Sequence, residues 1–151
     1  MTTTNAAIGR LSTFGPLVLR LGIGLVMAYH GIDKFRGGIG GVEEMFRMWE
    51  VPAPGITAPL VAVIEIVGGT ALILGIGTRL SAAMLAAVLV GAILFVKTDL
   101  GLISTGPMPG AELDLALLSG LVALVLMGPG PVSASRILGI GPPEEKVAVH
   151  A

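Results

Sequence analysis

The chain contains no cysteine, which excludes disulfide bonds, thiolate metal sites and a CxxC redox relay. Charged residues are also scarce, at 13% of the sequence, whereas a soluble domain has about 25%. The net charge of -1 offers no basic surface of the kind that binds nucleic acid. Only two histidines occur, and His150 lies in the tail, which argues against a haem held by paired histidines within one chain.

Apolar residues are abundant: they fill 54% of the 151 positions, and the mean hydropathy is +0.93. We therefore predict an all-α integral membrane protein, an antiparallel four-helix bundle whose domain covers residues 14–131. The predicted spans are 14–31, 56–75, 80–96 and 112–127. Residues 1–13 form an N-terminal segment and residues 132–151 a short soluble tail. The first apolar run is longer than the core of a secretory signal, so we interpret it as a retained span.

The segment between the first two predicted spans leaves the membrane. Its GGIGG run, residues 37–41, is expected to break the helix, and it lacks the preceding strand and the spacing of a nucleotide-binding loop. Four apolar residues then recur at helical spacing: Val42, Met45, Phe46 and Trp49. This pattern predicts a short interfacial helix with Trp49 at headgroup level, and a surface helix packed on the bundle is the alternative.

Four spans place both termini on one side of the membrane, here called the near side. The near-side cations are Arg10, Arg79, Arg136 and Lys146, and the far-side cations are Lys34, Arg36, Arg47 and Lys97. This even distribution becomes uneven if Lys34 and Lys97 face an internal pocket, because the far surface then keeps only two cations. The positive-inside rule in that case predicts a multi-pass protein of the cell membrane with both termini cytoplasmic.

Arg20 lies inside the first apolar run, where an unpaired cation costs roughly 3 kcal/mol or more. Glu65 is the single charge of the second predicted span. At a rise of about 1.5 Å per residue, Arg20 lies roughly 9 Å and Glu65 roughly 15 Å from the near side. An extended arginine side chain can cover the difference in depth, roughly 6 Å. We therefore expect an Arg20–Glu65 ion pair in the core. A pair that only fixes the helix register is the alternative reading of the same two residues.

The same arithmetic places a second polar group at the far mouth of the bundle, roughly 20–25 Å deep. Its members are His30, Lys34, Lys97, Glu112 and Asp114. His30 and Lys34 are spaced i, i+4 and share one helix face. Glu112 and Asp114 diverge by about 200°, so only one of them is expected to point inward, and we favour Glu112. We interpret the group as a polar pocket closed below by Arg20 and Glu65, with ordinary headgroup-level anchors as the alternative. No metal site is predicted.

Three stretches carry short motifs in a particular order and spacing. They are LRLGIGLVMAYHGIDK at 19–34, EIVGGTALILGIGTRLSA at 65–82, and residues 112–130, which end in GPG. With these motifs the chain resembles the DoxX family of small bacterial membrane proteins, from about residue 15 to residue 140. The resemblance implies roles for Arg20, His30, Lys34, Glu65, Arg79 and Glu112. Many members continue with Ser-Leu-Asp after GPG, whereas this chain has Ser133-Ala134-Ser135 and lacks the acidic residue.

The DoxX family is named with a subunit of an archaeal thiosulfate:quinone oxidoreductase, and actinobacterial relatives are linked to membrane complexes with a superoxide dismutase and a sulfurtransferase. The resemblance therefore implies a redox-associated membrane subunit with partner oxidoreductases, and it leaves open whether the chain is itself an enzyme. A quinone, bound without a covalent link, needs an apolar slot and a few polar groups. Two alternatives stay open: a non-catalytic scaffold that anchors partner proteins, and a small transporter or ion-conducting protein, against which the absence of an inverted repeat argues. Assembly of the chain as a homo-oligomer also stays open.

Overall fold

The computed structural model describes residues 13–106 and 109–139. Within these residues all regular secondary structure is helical, which confirms the all-α prediction. The helices are α1 Gly15–Arg36, α2 Ile39–Met48, α3 Pro54–Leu74, α4 Thr78–Gly91, α5 Glu112–Met127 and α6 Ala134–Ile137. A π-helical turn, Ala92–Val96, continues α4. In the described part of the chain, three helices are long and apolar enough to cross a membrane, namely α1, α3 and α4 with its π-helical turn.

Prolines and glycines set the helix ends. Pro16 and Pro54 lie in the first turns of α1 and α3, where a missing N–H removes no helical hydrogen bond. Gly75 ends α3 in the left-handed conformation, with φ 73°, which glycine adopts without steric cost. Pro129 follows the end of α5 and cannot continue it. Local chain chemistry thus determines where these helices begin and end.

α1 continues beyond residue 31, where its span was expected to end, and reaches Arg36. Lys34 and Arg36 lie in its last turn, where cations interact favourably with the helix dipole. The expectation that the whole GGIGG run breaks the helix is wrong, because α2 begins at Ile39 and includes the last two glycines. The break is confined to residues 37–38, and Gly38 there has a φ of 93°.

Glycines bring α1 and α3 into close contact. A Cβ on Gly24 would lie 2.7 Å from the carbonyl oxygen of Gly69, and a Cβ on Gly31 would lie 2.6 Å from that of Ala62. Neither glycine leaves room for a side chain, so the two backbones touch, as small residues permit in pairs of membrane helices. This contact fixes which residues of α1 lie level with which residues of α3.

An apolar core lies between α1, α3, α4 and α5. Its fully buried large side chains are Met27, Leu72, Leu85, Leu121 and Leu124. The outer faces of the same helices are also apolar: Val18 is 68% exposed, Leu80 68% and Leu126 73%. A surface that exposes so many large apolar side chains suits contact with lipid rather than with water.

The chain after α5 packs against the turn between α3 and α4 instead of extending away from these helices. Ser133 is 2% exposed, and its hydroxyl accepts a hydrogen bond from the backbone N–H of Arg136, which caps α6. The Ser135 hydroxyl donates to the carbonyl oxygen of Gly75 over 2.7 Å. The rest of the predicted tail, residues 140–151, and most of the predicted N-terminal segment lie outside the described residues.

Candidate functional site

Arg20 of α1 is 1% exposed, and backbone carbonyl oxygens surround its guanidinium. Nε donates to the carbonyl of Leu72 over 2.9 Å, and one terminal nitrogen donates to that of Val132 over 2.8 Å. The same nitrogen also donates to the carbonyl of Pro129, and the other terminal nitrogen donates to that of Ile73 over 3.4 Å. Four carbonyls therefore meet one buried cation.

The expected ion pair between Arg20 and Glu65 is wrong, and the reason is depth along the helices. Arg20 lies level with Leu72 at the C-terminal end of α3, and Glu65 precedes Leu72 by seven residues. Seven helical residues separate two positions by about 10 Å, too far for a direct pair. The last carbonyls of a helix carry the negative end of its dipole, so those of Leu72 and Ile73 satisfy a guanidinium without a carboxylate. The carbonyls of Pro129 and Val132 complete its hydrogen bonds.

Glu65 pairs instead with Lys34, near the other end of α1. The Lys34 Nζ lies 2.6 Å from Oε2 of Glu65 and 2.8 Å from Oε1. The Lys34 side chain is 20% exposed and that of Glu65 is 6% exposed. Because one ammonium binds both carboxylate oxygens, the cost of removing each charge from water is offset by the other.

A cavity of about 710 Å³ adjoins this ion pair. Its walls come from α1, α2, α3, α5 and α4 with its π-helical turn, and they are mostly apolar. The ionisable side chains that line it are His30, Lys34, Glu65, Lys97 and Asp114. A volume of this size, apolar walls and a few convergent polar groups are typical of small-molecule sites. Arg20 and Glu112, also predicted for the pocket, are not among the lining residues.

α5 turns Asp114 toward the cavity and leaves Glu112 exposed, so the preference for Glu112 is wrong. Asp114 shares the cavity face of α5 with Leu117, three residues later, whereas a residue two positions earlier points to another side of the helix. Lys97 contacts the backbone rather than a carboxylate, because its Nζ donates to the carbonyl of Pro109 over 2.7 Å.

Sequence reasoning missed the apolar residues that complete the cavity. Phe46, which is 8% exposed, and Trp49 line it from α2 and the residue after α2, and Ala87 and Gly91 line it from α4. The helical spacing of Phe46 and Trp49 indicated an apolar face, and that face packs over the cavity. Ala87 and Gly91 carry no chemical signal beyond their small size. Across residues 13–106 and 109–139, no three His, Asp or Glu side chains are grouped to hold a metal ion.

Comparison with known proteins places the chain in a family. The DoxX family model matches residues 15–98, which include α1 to α4 and both members of the Lys34–Glu65 pair. The chain belongs to the DoxX family. Over 128 residues, 85% of each chain, this DoxX protein is 33% identical to "Putative oxidoreductase CatD" of Bacillus subtilis (strain 168). It is 36% identical over 132 residues to "Uncharacterized membrane protein Rv3486" of Mycobacterium tuberculosis (strain ATCC 25618 / H37Rv), covering 81% of this chain and 80% of the relative. No solved structure matches it significantly.

The residues with roles implied by the DoxX resemblance separate into two groups in the structure. The arginines hold helix ends: a terminal nitrogen of Arg79 lies 3.5 Å from the carbonyl oxygen of Leu126 near the end of α5, as Arg20 binds carbonyls at the end of α3. The cavity group consists of His30, Lys34 and Glu65. Glu112 joins neither group, since it is exposed at the start of α5.

Proposed function

We propose that this DoxX protein is a membrane subunit that binds a quinone in its cavity and works with a partner oxidoreductase. The observation that carries the proposal is the cavity of about 710 Å³, with apolar walls and five ionisable side chains. A quinone needs an apolar slot for its ring and tail and hydrogen-bond donors for its two carbonyl oxygens. The ammonium groups of Lys34 and Lys97 and the ring of His30 are such donors.

We infer that electrons reach the bound quinone from a partner protein. The chain has no cysteine and no dinucleotide-binding loop, so it offers no thiol couple or nicotinamide site of its own. The name of the relative CatD, which includes the word oxidoreductase, supports a redox role for this family member. The cavity then supplies binding, orientation and nearby proton-exchanging groups.

We also infer that α1, α3, α4 and α5 cross the cell membrane as an antiparallel bundle with both termini cytoplasmic. The order of contacts supports opposite directions for α1 and α3, because Gly24 lies against Gly69 and the later Gly31 lies against the earlier Ala62. α5 has 16 residues, about 24 Å, which is shorter than a hydrocarbon core of about 30 Å and requires local thinning of the bilayer.

The absence of native cysteine allows a direct test of this topology. Single variants Leu138→Cys and Thr105→Cys place one thiol on each predicted side, at positions that are exposed in the structure. In intact cells a membrane-impermeant maleimide should label Thr105→Cys only. Labelling of Leu138→Cys under these conditions, or of both variants, contradicts the arrangement.

Quinone binding is tested by purification from the native membrane in mild detergent, followed by mass spectrometry of the bound small molecules. The wild-type protein should carry a quinone, and Glu65→Gln and His30→Ala should lose it while retaining their helical circular dichroism. Glu43→Gln is the matched control, because Glu43 pairs with Arg47 on the surface of α2 and does not line the cavity. A quinone content that the two cavity substitutions leave unchanged contradicts the proposal.

The exposed face of α2 favours a second candidate function, a non-catalytic scaffold for partner proteins. Met48 is 69% exposed, and the neighbouring Arg47–Glu43 pair is also on the surface. In this alternative the cavity residues only hold the bundle together. Deletion of residues 42–50 or of the tail should then abolish complex formation, whereas cavity variants that fold should retain wild-type complexes.

A further inference from the structure

The cavity contains two carboxylates whose surroundings differ. Both oxygens of Glu65 bind the ammonium of Lys34, at 2.6 and 2.8 Å. Asp114, on the α5 wall, is only partly buried, and none of the ion pairs in the described part of the chain includes it. Lys97 and His30 interact with it electrostatically, but the Lys97 ammonium is hydrogen-bonded to a backbone carbonyl. Of the two carboxylates that line this cavity, Glu65 is therefore bound to a cation in an ion pair and Asp114 is not.

Several features determine the charge of Asp114. It lies in the first turn of α5, where the helix dipole stabilises an anion. Partial burial is the largest influence and opposes the ionised form, as does the nearby Glu112, whereas Lys97, a backbone N–H and His30 favour it. In its ionised form the carboxylate only accepts hydrogen bonds, so Asp114 then needs a hydrogen-bond donor from the molecule that occupies the cavity.

We propose that Asp114 makes the cavity selective for the reduced form of its ligand, the quinol, over the quinone. This inference rests on the proposed function. A quinol carries two O–H donors, whereas the two ring oxygens of a quinone only accept. A quinol hydroxyl donates to the carboxylate of Asp114, and a quinone carbonyl placed there brings its lone pairs against those of the carboxylate.

The α1 wall of the cavity does not discriminate between the two forms. Lys34 and His30 present N–H groups, and both a hydroxyl oxygen and a carbonyl oxygen accept from them. Asp114 distinguishes a donor from an acceptor, whereas the carboxylate of Glu65 is bound to Lys34, so we assign Asp114 as the specificity-determining residue. Hydrogen bonds to charged groups are stronger than neutral ones, and the preference for quinol should be about tenfold or more.

Trp49 provides the readout, because it is the single tryptophan and it lines the cavity. Decylubiquinone and decylubiquinol are titrated anaerobically into protein in quinone-free nanodiscs, and quenching of Trp49 fluorescence gives each dissociation constant. The wild type should bind the quinol about tenfold more tightly. Asp114→Asn, which offers both a donor and an acceptor at the same size, should bring the ratio close to one. Asp99→Asn, on an exposed side chain outside the cavity, should keep the wild-type ratio.

The outcomes separate this inference from the function on which it rests. Binding of neither form by the wild type contradicts the proposed function and removes the basis of the inference. Binding of both forms with equal affinity, or a quinol preference that Asp114→Asn retains, overturns the inference alone. If Asp114→Asn does not fold, the wild-type ratio and the smaller Asp114→Ser substitution, which should also lose the preference, still decide.

Discussion

Two basic side chains of α1, one toward each end, are largely shielded from solvent, and they are satisfied in different ways. Arg20, which is 1% exposed, meets four backbone carbonyl oxygens. Lys34, whose side chain is 20% exposed, meets one carboxylate, that of Glu65. A guanidinium presents five N–H donors in a fixed plane and so reaches several carbonyls at once, whereas an ammonium is a compact point charge. Each site thus uses the cation whose shape fits its partners.

Because of this difference, we expect the Arg20 site to contribute to stability and the Lys34 site to contribute to ligand binding as well. The partners of Arg20 are backbone groups of α3 and of the chain after α5, so this interaction joins the C-terminal end of α3 to that part of the chain. The partner of Lys34 is a side chain at the edge of a cavity. Backbone carbonyls at a helix end hold their positions, whereas a lysine and a glutamate can change rotamers when a ligand enters. We therefore expect substitutions near Arg20 to affect folding and substitutions near Lys34 to affect binding as well.

The largest expected effect is that of Arg20→Leu. The substitution leaves the carbonyls of Leu72 and Val132 without their charged donor. The free energy of unfolding should fall by about 4 kcal/mol, since each hydrogen bond to a charged group contributes roughly 1.5–3 kcal/mol. Unfolding by sodium dodecyl sulfate in mixed micelles, followed by circular dichroism, measures the change. Arg36→Leu, on an exposed side chain of the same helix, should change the free energy of unfolding little. A loss below about 1 kcal/mol for Arg20→Leu contradicts a stabilising role for Arg20 and the carbonyls that it binds.

Glu65→Leu should be nearly as costly, but it should be reversible by a second substitution. Alone it leaves the Lys34 ammonium without its carboxylate and should lower the free energy of unfolding by about 3 kcal/mol, the low side of the range for breaking a buried pair. The double variant Lys34→Met/Glu65→Leu should recover most of that loss, because two apolar side chains replace two charges. A double variant no more stable than the single one would show that the pair contributes more than charge compensation.

No single side-chain substitution should rescue Arg20→Leu in this way, because its partners are backbone carbonyls.

The same contrast between side-chain and backbone partners explains which features could be predicted from the sequence. Apolar runs, prolines and glycines are local signals, and they predicted an all-helical membrane protein. The partner of a buried arginine is not a local signal, and a search restricted to carboxylates selected Glu65 for Arg20. Every residue has a backbone carbonyl, so the sequence does not mark those at the end of α3 as the partners of Arg20.

The inward-facing residue of α5 was unpredictable for a related reason. Glu112 and Asp114 are two positions apart, so the sequence places them on different sides of the helix without saying which side faces the cavity. The rotation of α5 follows from the packing of Leu121 and Leu124 into the core. Asp114 lies seven residues before Leu121, two helical turns, and so shares its face. Core packing of α5, rather than the chemistry of either acid, selected Asp114.

A moderate effect is expected from Gly31→Ala, which tests the contact that aligns Lys34 with Glu65. The new Cβ would lie 2.6 Å from the carbonyl oxygen of Ala62, a rigid backbone atom, so α1 and α3 must separate. We expect a loss of about 2 kcal/mol in the free energy of unfolding, together with weaker quinone binding. Gly22→Ala is the matched control, since nothing lies within 4 Å of its Cβ, and helix propensity should make it neutral or slightly stabilising. Equal effects of the two substitutions contradict a specific contact at Gly31.

The smallest effect is expected at Ser135, which occupies the position of the acidic residue that the DoxX pattern carries after GPG and this chain lacks. Its hydroxyl donates to the carbonyl of Gly75 over 2.7 Å and so ties the chain after α5 to the turn at which Arg20 is bound. Ser135→Ala should cost about 1 kcal/mol, the usual contribution of one neutral hydrogen bond, in the same unfolding measurement. Ser119→Ala is the control: that hydroxyl donates to the carbonyl of Leu115 within its own helix over 2.8 Å, and such a bond adds no stability.

Because Ser135 and Arg20 hold the same segment, the effects of substituting them should be non-additive. In the Arg20→Leu background, Ser135→Ala should lower the free energy of unfolding clearly less than it does alone. Strict additivity would mean that independent contacts, rather than one cluster, hold the chain after α5 against the end of α3.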